Sequence, residues 1–192
     1  MKYVKMLGLL AVAAAALMAF AGTASATVIT SNGSAYTGTI EASAEGHAVL
    51  DNPIAKIECA STVAGSIESH GTGVTAKGPI SALSFTGCTD SWHVTVVSSG
   101  SLEGHYLEGT NVTLTSSGAT VEATRFGISC RYATSSTHVG TITGSKNTGG
   151  TATFHINASI PFHSGSIFCG SGATAWTGSY SVTSPMNLDV DN

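Results

Sequence analysis

Apolar and polar positions alternate in short runs through most of the chain after residue 26. Six such runs are rich in β-branched residues, and in many of them an apolar side chain alternates with Thr, Ser or Gly. A period of two is typical of a strand with one buried and one solvent-facing side. No later stretch of a dozen residues has the apolar spacing of an amphipathic helix. The runs are Val94–Val97, Thr113–Thr115, Thr120–Phe126, Val139–Thr143, Thr151–Ile156 and Trp176–Thr183.

Turn signals recur between and before these runs: Asn32-Gly33, Ser99-Gly100, Ser117-Gly118, Gly149-Gly150 and Ser171-Gly172. Such dipeptides favour tight turns. We therefore predict an all-β fold, a disulfide-clamped antiparallel β-sandwich or flattened barrel of roughly ten or more short strands. Its inner face is expected to contain Ile57, Val63, Ile67, Ile80, Leu83, Phe85, Val94, Val96, Leu114, Val121, Phe126, Ile142, Phe154, Ile156, Trp176 and Tyr180.

The N-terminal segment has the pattern of a secretory signal peptide. Lys2 and Lys5 form a basic start, Leu7–Phe20 is apolar, and Ala24-Ser25-Ala26 is a small-residue cleavage motif. The apolar run is short for a membrane span. We expect residues 1–26 to be removed and residues 27–192 to form a single domain that is secreted, extracellular or at the cell surface.

Composition narrows the classes of partner. Residues 27–192 have five basic and eleven acidic side chains, which gives a net charge near −6. A weakly acidic surface without a basic cluster argues against nucleic acid and against anionic membrane surfaces as partners. No second apolar run is long enough to span a membrane, and the C-terminus has no sorting motif or apolar tail.

Four cysteines lie in this exported region: Cys59, Cys88, Cys130 and Cys169. An even number in an oxidising compartment predicts two disulfides, and three pairings are possible. Cys59–Cys88 with Cys130–Cys169 is favoured, because each pair then brackets one compact strand-rich stretch. The spacing has neither Cys-x-x-Cys nor Cys-x-x-His, so a metal site is disfavoured.

Three segments together resemble a group of small secreted β-proteins from actinobacteria-like soil bacteria. They are Leu83–Cys88, Phe126–Cys130 and Ala175–Pro185, the last with the pattern Trp-Thr-x-x-Tyr-x-Val-Thr-Ser-Pro. More distantly, the chain is similar to the secreted protein activator of alkane oxidation type. The resemblance implies secretion, a β fold and the favoured cysteine pairing, and it implies no chemistry.

No catalytic or metal-binding motif stands out. The seven histidines form neither His-x-His nor His-Glu-x-x-His, and no Gly-x-Ser-x-Gly elbow occurs. Glu103, Glu108 and Glu122 are the least implausible acids for a hydrolase, but no pattern singles them out. We therefore expect a protein that is not an enzyme and needs no cofactor.

Two aromatic residues are candidate ligand contacts. Trp92 lies beside Asp90 and His93, which favours an exposed aromatic surface, and Tyr106 could join it. Trp176 lies in an alternating strand and is expected in the core.

Our first hypothesis is a structural or cell-surface protein that assembles through its strand edges. The second is a monomeric secreted binding module for a glycan or a small apolar ligand. The third is a hydrolase whose site is built from distant strands.

Overall fold

A computed structural model describes residues 27–71, 74–145 and 150–191, and most of these residues are in strands. The predicted signal peptide, residues 1–26, lies outside the described residues. Two 3-10 turns cover Thr89–Ser91 and Ile167–Cys169. In chain order the strands are β1 Val28–Ser31, β2 Ser34–Ala35, β3 Gly38–Ala44, β4 Ala48–Asn52, β5 Ala55–Ile67, β6 Ser69–Gly71, β7 Val74–Thr86, β8 His93–Ser98, β9 Ser101–Glu108, β10 Asn111–Ser117, β11 Thr120–Arg125, β12 Ile128–Ala133, β13 Thr137–Thr143, β14 Thr153–Ile160, β15 Phe162–Gly165, β16 Thr174–Ser184 and β17 Leu188–Asp191.

Eight strand positions close into an antiparallel barrel. The ring runs β5, β7, β9, β10, β13, β14 and β16, and its eighth position is shared by β3 and β4. Both of these strands pair with β5 on one side and with β16 on the other. Tyr180 of β16 pairs with Ala44 of β3 to close the ring. The predicted all-β antiparallel fold is confirmed, and the barrel is the architecture found.

A second sheet, in the order β15-β12-β11-β8, extends from one side of the barrel. Each of its strands adjoins a barrel strand in the chain, and the chain changes sheet at short joints. Gly100, Gly118 and Ser136 have positive φ at three of these joints, and Pro161 occupies the fourth. The signals at Ser99-Gly100 and Ser117-Gly118 therefore mark changes of sheet. Glycine adopts positive φ without strain, so Gly100 and Gly118 allow the chain to turn from one sheet into the other.

A small third sheet, β17-β1-β2, packs its apolar side toward the barrel interior. Ile29, Leu188 and Val190 are each no more than 2% exposed and face the same interior as the barrel strands. Its tight turn is the predicted Asn32-Gly33, with φ of 52° and 74°. The predicted Gly149-Gly150 turn falls partly in residues 146–149, which lie outside the described residues.

Both disulfides form in the favoured pairing. Cys59–Cys88 ties β5 to the segment that follows β7, and Cys130–Cys169 ties β12 to the second 3-10 turn. All four cysteines are therefore bonded. Neither Cys88 nor Cys169 lies in a strand. The two disulfides therefore hold chain segments that the hydrogen bonds of the sheets do not hold.

One residue of the predicted core is misplaced. Phe126 is 83% exposed, since β11 ends at Arg125 and Phe126 begins the two-residue turn to β12. Its φ of 47° and the φ of 80° at Gly127 are the dihedrals of a tight hairpin turn. The alternating pattern was extended one residue too far, and a turn residue cannot face the core.

Removing the second disulfide should destabilise the fold strongly. The bond closes a loop with a sequence separation of 39 residues. Loop entropy of the unfolded chain then gives a contribution of about 4 kcal/mol for the bond. The variant Cys130→Ala/Cys169→Ala should melt roughly ten degrees below the parent in calorimetry. Equal melting temperatures of oxidised and reduced parent protein would contradict this role.

Candidate functional site

The interior of the barrel contains an apolar cavity of about 120 Å³. Its walls come from inward-facing side chains of all eight ring positions, and the three-stranded sheet adds three more. A protein interior is normally packed as densely as an organic crystal, with few voids larger than a water molecule. Unfilled apolar space of this size is therefore a candidate binding site. The larger lining side chains are Ile40, Val63, Ile67, Ile80, Leu83, Leu102, Leu114, Ile142, Phe154, Ile156, Trp176, Tyr180, Ile29, Leu188 and Val190.

Several cavity-lining side chains are covered incompletely although they point inward. Ile40, Val63, Ile156 and Trp176 are only half-buried, whereas their inward neighbours Ala42 and Tyr180 are 2% and 1% exposed. Side chains on facing strands thus fail to meet across this part of the barrel. The apolar surface that remains uncovered is what a guest molecule would bury.

Small residues at inward positions explain why the space is not filled. Gly65, Ala76 and Gly104 line the cavity with little or no side chain. An added Cβ at Gly104 would lie 2.8 Å from Cγ1 of Val112, so a larger residue there would have to displace Val112. Alternation along the chain predicts which positions face inward but not how much volume their side chains occupy, so the cavity was not predicted. A run of small residues at inward positions was the available signal.

One buried hydrogen bond lies at the wall of the cavity. The Tyr180 hydroxyl donates to Oγ of Ser61 at 3.0 Å, and both residues are at least 96% buried. Burial raises the pKa of the Tyr180 phenol above its ordinary value, and the Ser61 hydroxyl and the Trp176 indole oppose that rise. Tyr180 therefore stays neutral through the physiological range. Tyr180 lines the cavity, so the pair places a satisfied polar group at a wall that is mostly apolar.

The histidines do not gather into a site. Six of them are exposed, and the side chain of the seventh, His70, lies outside the described residues. Within the described part of the chain, no group of three or more His, Cys, Asp or Glu side chains could hold a metal ion.

The three candidate acids lie on outer surfaces. Glu103 accepts a hydrogen bond from Thr75 at 2.6 Å, and Glu108 is exposed near the end of β9. Glu122 accepts from the Ser129 hydroxyl and pairs with Nε of Arg131 at 3.2 Å. The Ser129 hydrogen bond and Arg131 hold the pKa of Glu122 below its usual value. These contacts make Glu122 a surface ion pair, and none of the three acids lines the barrel cavity.

The structure does not bring the two candidate aromatic contacts together. Trp92 is 4% exposed, so the exposed aromatic surface expected there is not observed. Arg125 covers it, with the guanidinium carbon 5.8 Å from the ring centre. Tyr106 is half-buried near the C-terminal end of β9, and its hydroxyl donates to the Gly109 carbonyl. Their part in ligand contact stays a prediction.

Closure of the ring determines which strands have an unpaired edge. The barrel positions are paired on both sides, so they offer no free edge for assembly. Within the described residues, β8 and β15 are the edges of the four-stranded sheet, β2 and β17 are the edges of the three-stranded sheet, and β6 lies outside the ring at the end of the ten-stranded sheet, paired only with β7. Assembly through strand edges therefore stays a prediction, with these short strands as its remaining candidates.

Comparison with protein-family models, with curated proteins and with solved structures found no match. The resemblance to small secreted four-cysteine β-proteins and to the alkane-oxidation activator type stays a prediction. In the described residues, no helix has the length and apolar character needed to cross a membrane.

The buried Tyr180–Ser61 pair can be tested by a double-mutant cycle. Tyr180→Phe should lower the free energy of unfolding by about 1–3 kcal/mol, because it leaves the Ser61 hydroxyl buried without its partner. Adding Ser61→Ala should recover part of that loss, since no polar group is then left unpaired. Denaturant unfolding measures both. Strictly additive losses would show that the two hydroxyl groups are not coupled.

Proposed function

We propose that this protein is a secreted binding protein that holds one small apolar molecule inside its barrel. The observation that supports this proposal is the unfilled apolar cavity of about 120 Å³. An eight-stranded barrel has an interior that is either just filled by side chains or able to hold one small ligand. The half-buried inward side chains favour the second case.

The size and chemistry of the cavity limit the ligand class. A cavity of about 150 Å³ lined by Leu, Ile and Phe stays dry and binds benzene or xenon. The barrel cavity is similar in size and lining, so a single-ring or short branched hydrocarbon is the favoured guest. Trp176 and Phe154 in its wall offer aromatic faces to such a molecule.

A glycan is a poor match for this wall. A sugar ring carries several hydroxyl groups, and each one loses hydrogen bonds to water when it is buried. The buried hydroxyl pair of the wall, Tyr180 and Ser61, is already hydrogen-bonded. Ser116, which also lines the cavity, is hydrogen-bonded to Thr134 at 3.0 Å. Of the ligands considered from the sequence, the small apolar molecule has the better support.

Secretion is part of the proposal and rests on two observations. The segment Met1–Ala26 has the order of a signal peptide, and the two disulfides fit an oxidising compartment outside the cytoplasm. A binding protein outside the cell could collect a poorly soluble molecule from its surroundings.

Ligand binding should raise the melting temperature of the oxidised protein. Toluene at a hundred times its dissociation constant would stabilise the folded state by about 2.7 kcal/mol. For a domain of this size, the shift should be roughly five to ten degrees. Val63→Phe places a ring in the cavity, so it should keep or raise the melting temperature and abolish the toluene shift. Differential scanning calorimetry with and without toluene measures both.

The matched control is Val97→Phe. Val97 is 52% exposed on β8 and does not line the cavity. This variant should keep the full toluene shift. If no ring hydrocarbon shifts the parent protein, or if Val63→Phe keeps the shift, the barrel interior is not a binding site.

A further inference from the structure

Three large apolar side chains are strongly exposed at one end of the four-stranded sheet. Phe126 is 83% exposed, Ile167 is 91% exposed and Phe168 is 64% exposed. We call these three residues the apolar tip. None of them lines the barrel cavity. They belong to two loops, the β11–β12 turn and the 3-10 turn after β15.

The strand register places the two loops side by side. β15 is antiparallel to β12, with Gly165 opposite Cys130, and the Ser166 amide donates to the Ser129 carbonyl at 2.8 Å. The 3-10 turn that follows Ser166 therefore begins beside the end of β12 that follows the β11–β12 turn. Both loops therefore lie at the same end of the sheet, and all three side chains are exposed there.

The protein holds these side chains outward. Ile167 and Phe168 lie in a turn that Cys169 ties to Cys130, and the Cys169 amide donates to the Ser166 carbonyl at 2.9 Å. Phe126 occupies the first position of its turn with φ of 47°, where Asn or Gly is usual and a bulky residue is strained. A strained, exposed aromatic residue in a tight turn is the kind of local cost that a binding role explains.

The Arg125 side chain lies beside Phe126 of the apolar tip. The Arg125 guanidinium carbon lies 4.9 Å from the centre of the Phe126 ring. Within the described part of the chain, no carboxylate lies within ion-pair distance of Arg125, and its Nε is buried without a hydrogen-bond partner. Exposed aromatic and aliphatic side chains next to an uncompensated guanidinium match the acyl and phosphate layers of a phospholipid surface.

The area of the apolar tip favours lipid over a protein partner. Its three side chains expose roughly 450–500 Å², taking about 200 Å² for a fully exposed large side chain. A stable protein interface buries about 800 Å² on each partner. An exposed apolar area of that smaller size suits shallow insertion among lipid headgroups, which needs no complementary surface.

We propose that the apolar tip docks this protein onto zwitterionic phospholipid surfaces, with Phe126, Ile167 and Phe168 inserted and Arg125 at the phosphate level. The net charge near −6 of residues 27–192 opposes attraction to anionic lipid. Binding therefore depends on apolar insertion and changes little with salt concentration. This docking is independent of the barrel cavity and does not require its occupation.

Vesicle flotation tests the proposal directly. Oxidised protein should float with phosphatidylcholine vesicles, and replacing a third of that lipid with phosphatidylserine should not increase the bound fraction. Phe126→Asn should lower the partition coefficient roughly tenfold, because one apolar side chain is lost from the inserted surface. Asn is favoured at this turn position, so the variant should fold at least as well as the parent. Leu107→Ser, at an exposed apolar residue elsewhere, is the matched control and should float like the parent.

Three results would overturn the proposal. The first is parent protein that stays at the bottom of the gradient with phosphatidylcholine vesicles. The second is Phe126→Asn protein that floats as well as the parent. The third is a parent that light scattering shows to be oligomeric and a Phe126→Asn variant that is monomeric, since the apolar tip would then be an interface between copies of the chain.

Discussion

Closure of the strand ring is the constraint on which the rest of the structure depends. Eight strand positions set the radius of the barrel, and that radius fixes how much side-chain volume the interior needs. Larger inward residues such as Ile57, Phe85 and Tyr180 supply that volume in part of the barrel. Glycine and alanine at other inward positions do not, and the cavity lies there. The candidate binding site is thus a consequence of ring size and residue size together.

The second sheet follows from the same strands. At the four joints the chain passes from the barrel into the second sheet, and backbone hydrogen bonds between adjacent segments continue across the joints. The second sheet is therefore an extension of the barrel wall. At one end of it, Phe126, Ile167 and Phe168 are exposed. The Cys130–Cys169 disulfide holds the last loop there. The molecule therefore has an apolar space within the barrel and, apart from it, an exposed apolar end of the second sheet.

Local pattern was enough to predict the strands but not their closure. Alternation correctly placed Val94, Leu114 and Phe154 on buried sides, because it depends only on neighbouring residues. The closing pair, Tyr180 with Ala44, joins residues far apart in the chain, and no local signal specifies it. Which cysteines pair was predictable, since each bond spans one strand-rich stretch.

The misplaced aromatic residues show where such reasoning stops. Phe126 continues an alternating run, yet the two-residue turn takes it out of the strand. Trp92 has polar neighbours in sequence, yet Arg125 from another strand covers it. Neither outcome follows from the local run of residues alone. The cavity was missed for a related reason, since its emptiness depends on the summed volume of side chains from many strands.

Xenon binding in the crystal tests the central claim, an unfilled apolar cavity in the barrel, most directly. Crystals of the oxidised protein would be pressurised with xenon and compared with untreated crystals. We expect one strong xenon peak inside the barrel, within van der Waals distance of Val63, Ile156 and Trp176. Absence of xenon there, with side chains closing the space or ordered water filling it, would contradict the account.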